Sequence, residues 1–507
     1  MAENITDSQE DQVVATIDPT DNDSAMPSPL LTILQSAPLP DLIGYSTDDE
    51  GNAQAVKALF GEYFRYCEAL GWLYYTGTHW EREGAVPYLE RAVVATLHQR
   101  RAQAALYGNN EHLTQIARSN VGPVQHAMTL LRSLVLARVE EFDISRDHLN
   151  VKNGVLDLRT GELTPHSPSQ RYTYCLPVEY DAEADTSEWL QFLQQVVGGG
   201  EAVLTMLQQA VGYSLTGHTQ EERLFYIFGP TRSGKGTFTE VLLKLLGKPL
   251  SAEVDFRTFT ARRDNDANNY DLAPLRPTRL IVASESSKYD QLNTARVKLL
   301  TGGNYIRCCF KYGDHFEYRP QYKIWLVSNH NIKADPDDDA AWGRVIHLEF
   351  PHSFYGHEDK TLKERLKRPE NLRGVLAWAV EGAKQWYASQ HGVQVPAALR
   401  ERLQAVQREQ DIVQQWIDER TVADPQWWTP HETLHGDYKQ WCQQNGYASK
   451  GGTEFGRALS KKGYAATKQT IHGTEVRGRT GLRLACTVGA GESIPVSGDP
   501  VGDDEIA

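Results

Sequence analysis

Paired cysteines and long apolar runs are both missing from this chain of 507 residues. Its six cysteines (Cys67, Cys175, Cys308, Cys309, Cys442 and Cys486) never take C-x-x-C spacing, so neither a zinc site nor a disulfide framework is indicated. A reducing cytoplasm fits that usage. No run of about 18 apolar residues occurs, and no membrane span is expected. The N-terminus has neither a basic start nor an apolar core, which argues against a secretory signal. Lys and Arg are absent from both ends. Residues 1–50 carry eleven acids and residues 487–507 carry five, both without a basic residue. The net charge of −14 is thus confined to the tails, and the body between them stands near neutral. A near-neutral body can still carry a local basic stripe, so the global charge does not exclude a nucleic-acid partner.

What is present is organised around Phe225-Tyr226-Ile227-Phe228-Gly229-Pro230-Thr231-Arg232-Ser233-Gly234-Lys235-Gly236-Thr237. Four apolar residues read as a buried strand, and Phe238–Leu246 reads as an amphipathic helix. Between them lies G-x-x-x-x-G-K, a loop whose backbone N–H groups turn inward onto phosphate oxygens. The helix start adds partial positive charge, and Lys235 reaches the terminal phosphates. The pattern calls for a hydroxyl directly after the lysine to hold magnesium. Gly236 stands there, so the metal role passes to Thr237.

Later motifs narrow the chemistry. Arg279–Ser284 is an apolar strand followed by Glu285, an acid placed to hold magnesium through water or to orient an attacking water. A solvated acid after a strand is the plain alternative. Lys323–Ser328 is a second such strand, followed by Asn329, a neutral donor able to polarise a γ-phosphate. Between them, two strands flank a loop near Lys311–His315. Arg307, Lys311, Tyr312 and His315 there suit phosphate contact with base stacking. Arg344 precedes the strand 345–350, where an arginine can reach a γ-phosphate held by a neighbouring copy.

Around these motifs the expected organisation runs as follows. Residues 1–45 form a disordered acidic tail, in which Pro27–Leu42 reads as a collapsed linker rather than a docking segment. Residues 46–217 form a mixed, mostly helical domain. Within it 52–75 looks helical, 77–82 a hairpin turn, and 149–163 a strand–turn–strand. Residues 218–390 form an α/β domain with strands at 225–228, 279–284, 323–328 and 345–350. From 391 to 486, helices reach Asn445, then a Gly-turn, a helix and a basic strand pair suggest a winged helix. Residues 487–507 are a second acidic tail.

In this order the motifs resemble those of the superfamily 3 helicases, nearest the phage/plasmid primase-helicase family with its poxvirus-type helicase domain. The resemblance covers most of residues 50–485. It rests on RYCEALGWLYYTGTHW, NGVLDLRTGEL and LQQAVGYSLTG, then KLLTGG, FEYRPQYKIWLVSNH and WGRV, and finally WCQQNGY, FGRAL and GLRL. It implies an α/β, AAA+-like P-loop core that assembles as a hexameric ring around DNA and translocates by hydrolysing ATP with Mg2+. Family roles then fall on Lys235, Thr237, Glu285, Asn329 and Arg344. Gly236, Gly343 and Ser287 depart from the family pattern, leaving Arg344 as the sole finger candidate. Only about 45 residues precede the helicase-associated part, so primer synthesis is not expected of this chain, and a separate primase or polymerase is an expected partner. The expected setting is the cytoplasm of a bacterial host or a phage-infected cell. An origin-binding initiator or loader using Lys450, Lys461, Lys462 and Lys468 on duplex DNA is the alternative. A small-molecule kinase fits poorly.

Overall fold

A computed structural model describes residues 30, 32–33, 40–107, 111–198, 200–260, 269–284, 290–309 and 315–485. Chain contacts divide it into two units, one built mainly from residues up to 144 and the other mainly from 176 onward. Residues 176–217 belong to the second unit, whereas the sequence reading drew its line at 217.

In the first unit, α1 (Asp49–Phe60) is capped by the Asp48 carboxylate, which accepts from Gly51 N. Beyond it, β1 (Phe64–Cys67), β2 (Gly71–Tyr75) and β3 (Trp80–Glu81) form an antiparallel sheet. This corrects the helical expectation for 52–75, which holds only to Phe60. Aromatic residues suit a pleated surface, and Gly71 (φ 78°) makes the turn that the pairing of Cys67 with Gly71 closes. Three helices follow, α2 (Ala85–Leu106), α3 (Glu111–Ile116) and α4 (Val121–Leu134). The apolar island is also corrected. Leu30 and Leu42 are buried in this unit's core beside Val56, Leu97 and Leu131. Buried Arg100 on α2 donates to the Leu42 and Tyr45 carbonyls and to Asn52 Oδ1, holding 42–45 down. The stretch read as strand–turn–strand, whose residues are divided between the two units, holds β4 (His148–Val151), β5 (Gly154–Asp157) and β6 (Leu163–Thr164).

The second unit opens with helices α5 (Ser187–Val196) and α6 (Gly200–Leu215). Its centre, among the described residues, is a five-stranded all-parallel sheet. The strands are β7 (Leu224–Phe228), β8 (Ser251–Asp255), β9 (Leu280–Ser284), β12 (Lys323–Ser328) and β13 (Val345–Glu349), in spatial order β13-β7-β12-β9-β8. The four apolar strands β7, β9, β12 and β13 match the expected ones, because strands covered on both faces read as continuous apolar runs. The edge strand β8 (SAEVD) escaped notice, since alternate residues face solvent and no apolar run marks it. Helix α7 (Lys235–Leu250), broken at Gly247, follows β7. Its Phe238 stacks on Trp189 of α5 (5.8 Å) and packs against Trp325 of β12 (5.5 Å), which seats the start of α7 against the sheet. Helix α8 (Thr294–Thr301) leads to an antiparallel pair, β10 (Ile306–Cys309) and β11 (His315–Tyr318).

At the other end of the sheet, Arg279 and Lys323 are buried at the strand starts. Arg279 donates to the Leu215, His148 and Ser145 carbonyls. Lys323 donates to those of Thr216, His218 and Gln321. They satisfy carbonyls at the α6 C-terminus, where cations are favoured.

After α9 (Asp339–Trp342) and β13 come α10 (Leu362–Leu366), α11 (Pro369–Ala388) and α12 (Ala397–Gln410). The C-terminal part runs α13 (Ile412–Arg420), β14 (Thr421–Pro430), α14 (His431–Asn445), α15 (Gly452–Lys461), β15 (Ala466–Ile471) and β16 (Thr474–Leu484). Strand β14 interrupts the stretch expected to be helical up to Asn445. Its pairing with β16 shifts between Asp424 and Trp428, and that irregularity accommodates Pro425, which has no N–H to give. Most of both acidic tails lies outside the described residues.

Candidate active site

The loop after β7 is shaped by two glycines. A Cβ on Gly229 would lie 2.1 Å from the Phe350 carbonyl oxygen, and one on Gly234 (φ 90°) would lie 2.6 Å from Val196 Cγ1. No larger residue fits either place. Lys235, first residue of α7, is buried and donates to the carbonyls of Gly229 (2.8 Å) and Pro230 (2.7 Å) and to Ser233 Oγ (3.1 Å). Burial pushes its ammonium down to about 8. The first turn of α7 leaves backbone N–H groups without helical acceptors, and they belong to Lys235, Gly236 and Thr237.

A cleft of about 350 Å³ opens over this loop. Residues 231–237 line one side, and Ser284 at the end of β9, Val327, Ser328, Asn329 and Lys363 line the rest. The parallel register explains the meeting. Leu326 pairs with Ala283 on one side, and Ser328 with Phe228 on the other. Consequently the ends of β7, β9 and β12 emerge together, the usual place for a ligand in an open parallel sheet. Thr237 is half-buried within the cleft, while a side chain at Gly236 would meet open space. Glu285 lies outside the described residues, directly after Ser284. Lys363 was not anticipated. It stands on α10, far along the chain, and also pairs with Glu240 of α7. Its only sequence signal is a short basic helix with no motif.

The donor set suits a triphosphate: a buried ammonium, Arg232, Lys363 and a helix start. Among the described residues no cluster of His, Cys, Asp or Glu could hold a metal by itself. The hydroxyl of Thr237 fits a magnesium ion that keeps most of its ligands as water and phosphate.

Arg344 stands elsewhere. Its carbonyl accepts from Leu224 N (2.8 Å) at the start of β7, and its guanidinium donates to Glu222 Oε2 (2.6 Å) and the Ala340 carbonyl (2.8 Å). Of the nucleic-acid candidates, Lys311 and Tyr312 lie outside the described residues. Arg307 and His315, both exposed, line a second cleft of about 410 Å³ with Tyr305, Asn269 and Leu299. The lysines expected to favour duplex recognition are engaged within the chain. Lys450 pairs with Asp337 (3.1 Å) and Lys462 with Asp411 and Asp337. Lys461 donates to the Asp337 carbonyl (3.2 Å), and Lys468 pairs with Glu475 (3.0 Å).

Comparison with known proteins adds names. Residues 53–198 match the family described as D5 N terminal like, and residues 227–344 match a family of unknown function, DUF5906. A protein of Acanthamoeba polyphaga mimivirus named as a helicase is 27% identical over 239 residues, covering 46% of this chain and 24% of that protein. A Frog virus 3 (isolate Goorha) protein, also named as a helicase, is 22% identical over 287 residues, covering 52% of this chain and 29% of that protein. The matched stretch therefore spans less than a third of these relatives. Among solved structures, the apo C-terminal region of NrS-1 matches at 14% identity with a TM-score of 0.41, covering 65% of this chain and 92% of that one. Taken together, the domain match and the viral relatives make the chain similar to D5-like helicases. No helix among the described residues is long and apolar enough to cross a membrane.

Proposed function

We propose that this chain is an ATP-dependent DNA helicase of superfamily 3 that serves replication of a phage, plasmid or integrated mobile element and works as a hexameric ring. One observation carries the reading. The loop 231–237, the end of β9 and Asn329 meet in one cleft, with Arg344 at the far end of the same sheet. Lys235 and the first N–H groups of α7 would hold the β- and γ-phosphates. Thr237, with Glu285 through water, would hold Mg2+, which neutralises charge on the transferring phosphoryl group. Glu285 would also orient the attacking water, and Asn329 would polarise the γ-phosphate. Arg344 would complete the site of a neighbouring copy. The pair β10–β11, with Arg307, Lys311, Tyr312 and His315, would contact the DNA strand through phosphate pairing and base stacking.

The order helix–strand–helix–helix–strand–strand from α13 to β16 supports a winged-helix reading of the C-terminal part. It is also what favours the origin-binding alternative. The internal pairing of Lys450, Lys461, Lys462 and Lys468 weighs against that alternative. A forked-DNA assay separates the two. A helicase unwinds the fork with ATP turnover stimulated by single-stranded DNA, while a loader binds and assembles with little strand separation. Lys235→Ala is expected to lower ATP turnover at least about a hundredfold, because an interaction made with transition-state charge is lost. Full turnover in that variant would refute the site.

A further inference from the structure

Among the described residues, nothing lining the 350 Å³ cleft is aromatic. Its hydroxyls, amide and cations suit phosphates, yet a purine base needs a flat apolar surface to stack on. One such surface stands beside the loop. The segment after β13 returns to it through a series of hydrogen bonds. Phe350 N donates to Phe228 O (2.9 Å), Ser353 Oγ to Thr231 O (2.9 Å) and Phe354 N to Arg232 O (3.0 Å). Glu358 pairs with the Arg232 guanidinium. Arg232 itself takes a left-handed backbone (φ 60°), uncommon for a residue other than glycine. Its guanidinium carbon lies 5.0 Å from the centroid of the Tyr355 ring.

Tyr355 is 74% exposed although it is a large aromatic residue fixed in place on both sides. The hydrogen bonds at Ser353 and Phe354 hold the backbone before it, and the Arg232–Glu358 pair holds the backbone after it. Arg232 joins the two environments, since it lines the phosphate cleft and also stacks on the ring. We propose that Tyr355, backed by Arg232, is the platform on which the base of a purine nucleoside triphosphate stacks. This rests on the reading of the cleft as a nucleotide site. Phosphates would occupy the glycine-bounded loop, and the base would extend past Arg232 onto the open face of the ring.

The test is equilibrium titration of the full chain with ATP and, separately, with inorganic tripolyphosphate, both with Mg2+. Tyr355→Ala is expected to raise the Kd for ATP about 5- to 100-fold, the usual worth of one base stack, and to leave tripolyphosphate within about twofold. Tyr355→Phe and Tyr355→Trp should keep the ATP affinity near that of the parent. Because the side chain is exposed, all three variants should melt like the parent. An unchanged Kd for ATP in Tyr355→Ala would overturn the proposal. So would a parallel loss for ATP and tripolyphosphate, which would mean that Tyr355 only shapes the loop. A parent chain that binds neither ligand, or Lys235→Ala binding tripolyphosphate as well as the parent, would instead remove the nucleotide site and the platform with it.

Discussion

Arg344 and Gly229 stand at opposite ends of one strand. The Arg344 carbonyl accepts from Leu224 N where β7 begins, and Gly229 follows Phe228 where it ends. At roughly 3.3 Å per residue the five steps from Leu224 to Gly229 span about 16 Å, more than an arginine side chain reaches. Arg344 therefore does not serve the phosphate loop of its own chain, and a catalytic role for it requires a second copy.

That geometry yields a complementation prediction. Lys235→Ala and Arg344→Ala should each abolish most ATP turnover. Mixed, they should recover part of it, because random assembly brings the intact lip of each together at about one seam in four. Turnover measured across mixing ratios checks this. A mixture as inactive as its components, while assembling normally, would contradict shared sites.

The Asp337 cluster leads to a second expectation. The Asp337 carboxylate is only 10% exposed and faces Lys450 and Lys462, while its carbonyl accepts from Lys461. Asp337→Asn should free Lys450 for phosphate contacts, while Lys462 stays paired with Asp411. Duplex DNA affinity should rise, and its dependence on log salt should steepen by about one. The loss of a partly buried partner should also cost about 1–3 kcal/mol of stability. Fluorescence anisotropy over a salt series and denaturant melts give the two readouts.

His347 supplies a pH dependence. It is buried in β13, stacked on Phe228 at 4.3 Å, and neither ring nitrogen has a hydrogen-bond partner among the described residues. Burial, helped by Arg402, pushes its imidazole down from 6.5 to about 4. The unfolded chain thus binds a proton that the folded chain refuses between those values. Stability should be full above pH 6.5 and fall by about 3 kcal/mol as the pH drops to 4. His347→Leu should flatten that fall, as urea melts at a series of pH values would record.

Lys235 gives the opposite sign for binding. Its ammonium is held down to about 8 by burial, and phosphate recognition requires the charged form. ATP affinity should decline by up to about tenfold per pH unit above 8. In Lys235→Arg, whose guanidinium stays charged, the decline should disappear even where affinity is lower overall. Titration calorimetry from pH 7.5 to 9.5 tests both chains.

Much of this molecule is written locally. Leu224–Phe228 and Lys323–Ser328 are legible as strands because a strand covered on both faces must be apolar throughout. The spacing of Gly229, Gly234 and Lys235 is legible because backbone sterics admit few residues at such a turn. Locality also bounds what can be read. The hairpin of β1 and β2 passed for helix, since Phe64–Tyr75 is apolar at both periods and only pairing across Gly71 selects between them. Strand β14 was hidden by Pro425, which a shifted register accommodates.

Sequence alone, then, singled out candidates for phosphate chemistry, because residue types and short-range spacing are local properties. Tertiary structure alone decided the company they keep. It brought Lys363 to the cleft and Tyr355 onto Arg232, set Arg344 at the wrong end of the sheet for its own site, and committed Lys450 to Asp337 and Lys462 to Asp411. Each of these depends on strand order and helix packing between residues tens to more than a hundred positions apart, which no local pattern encodes.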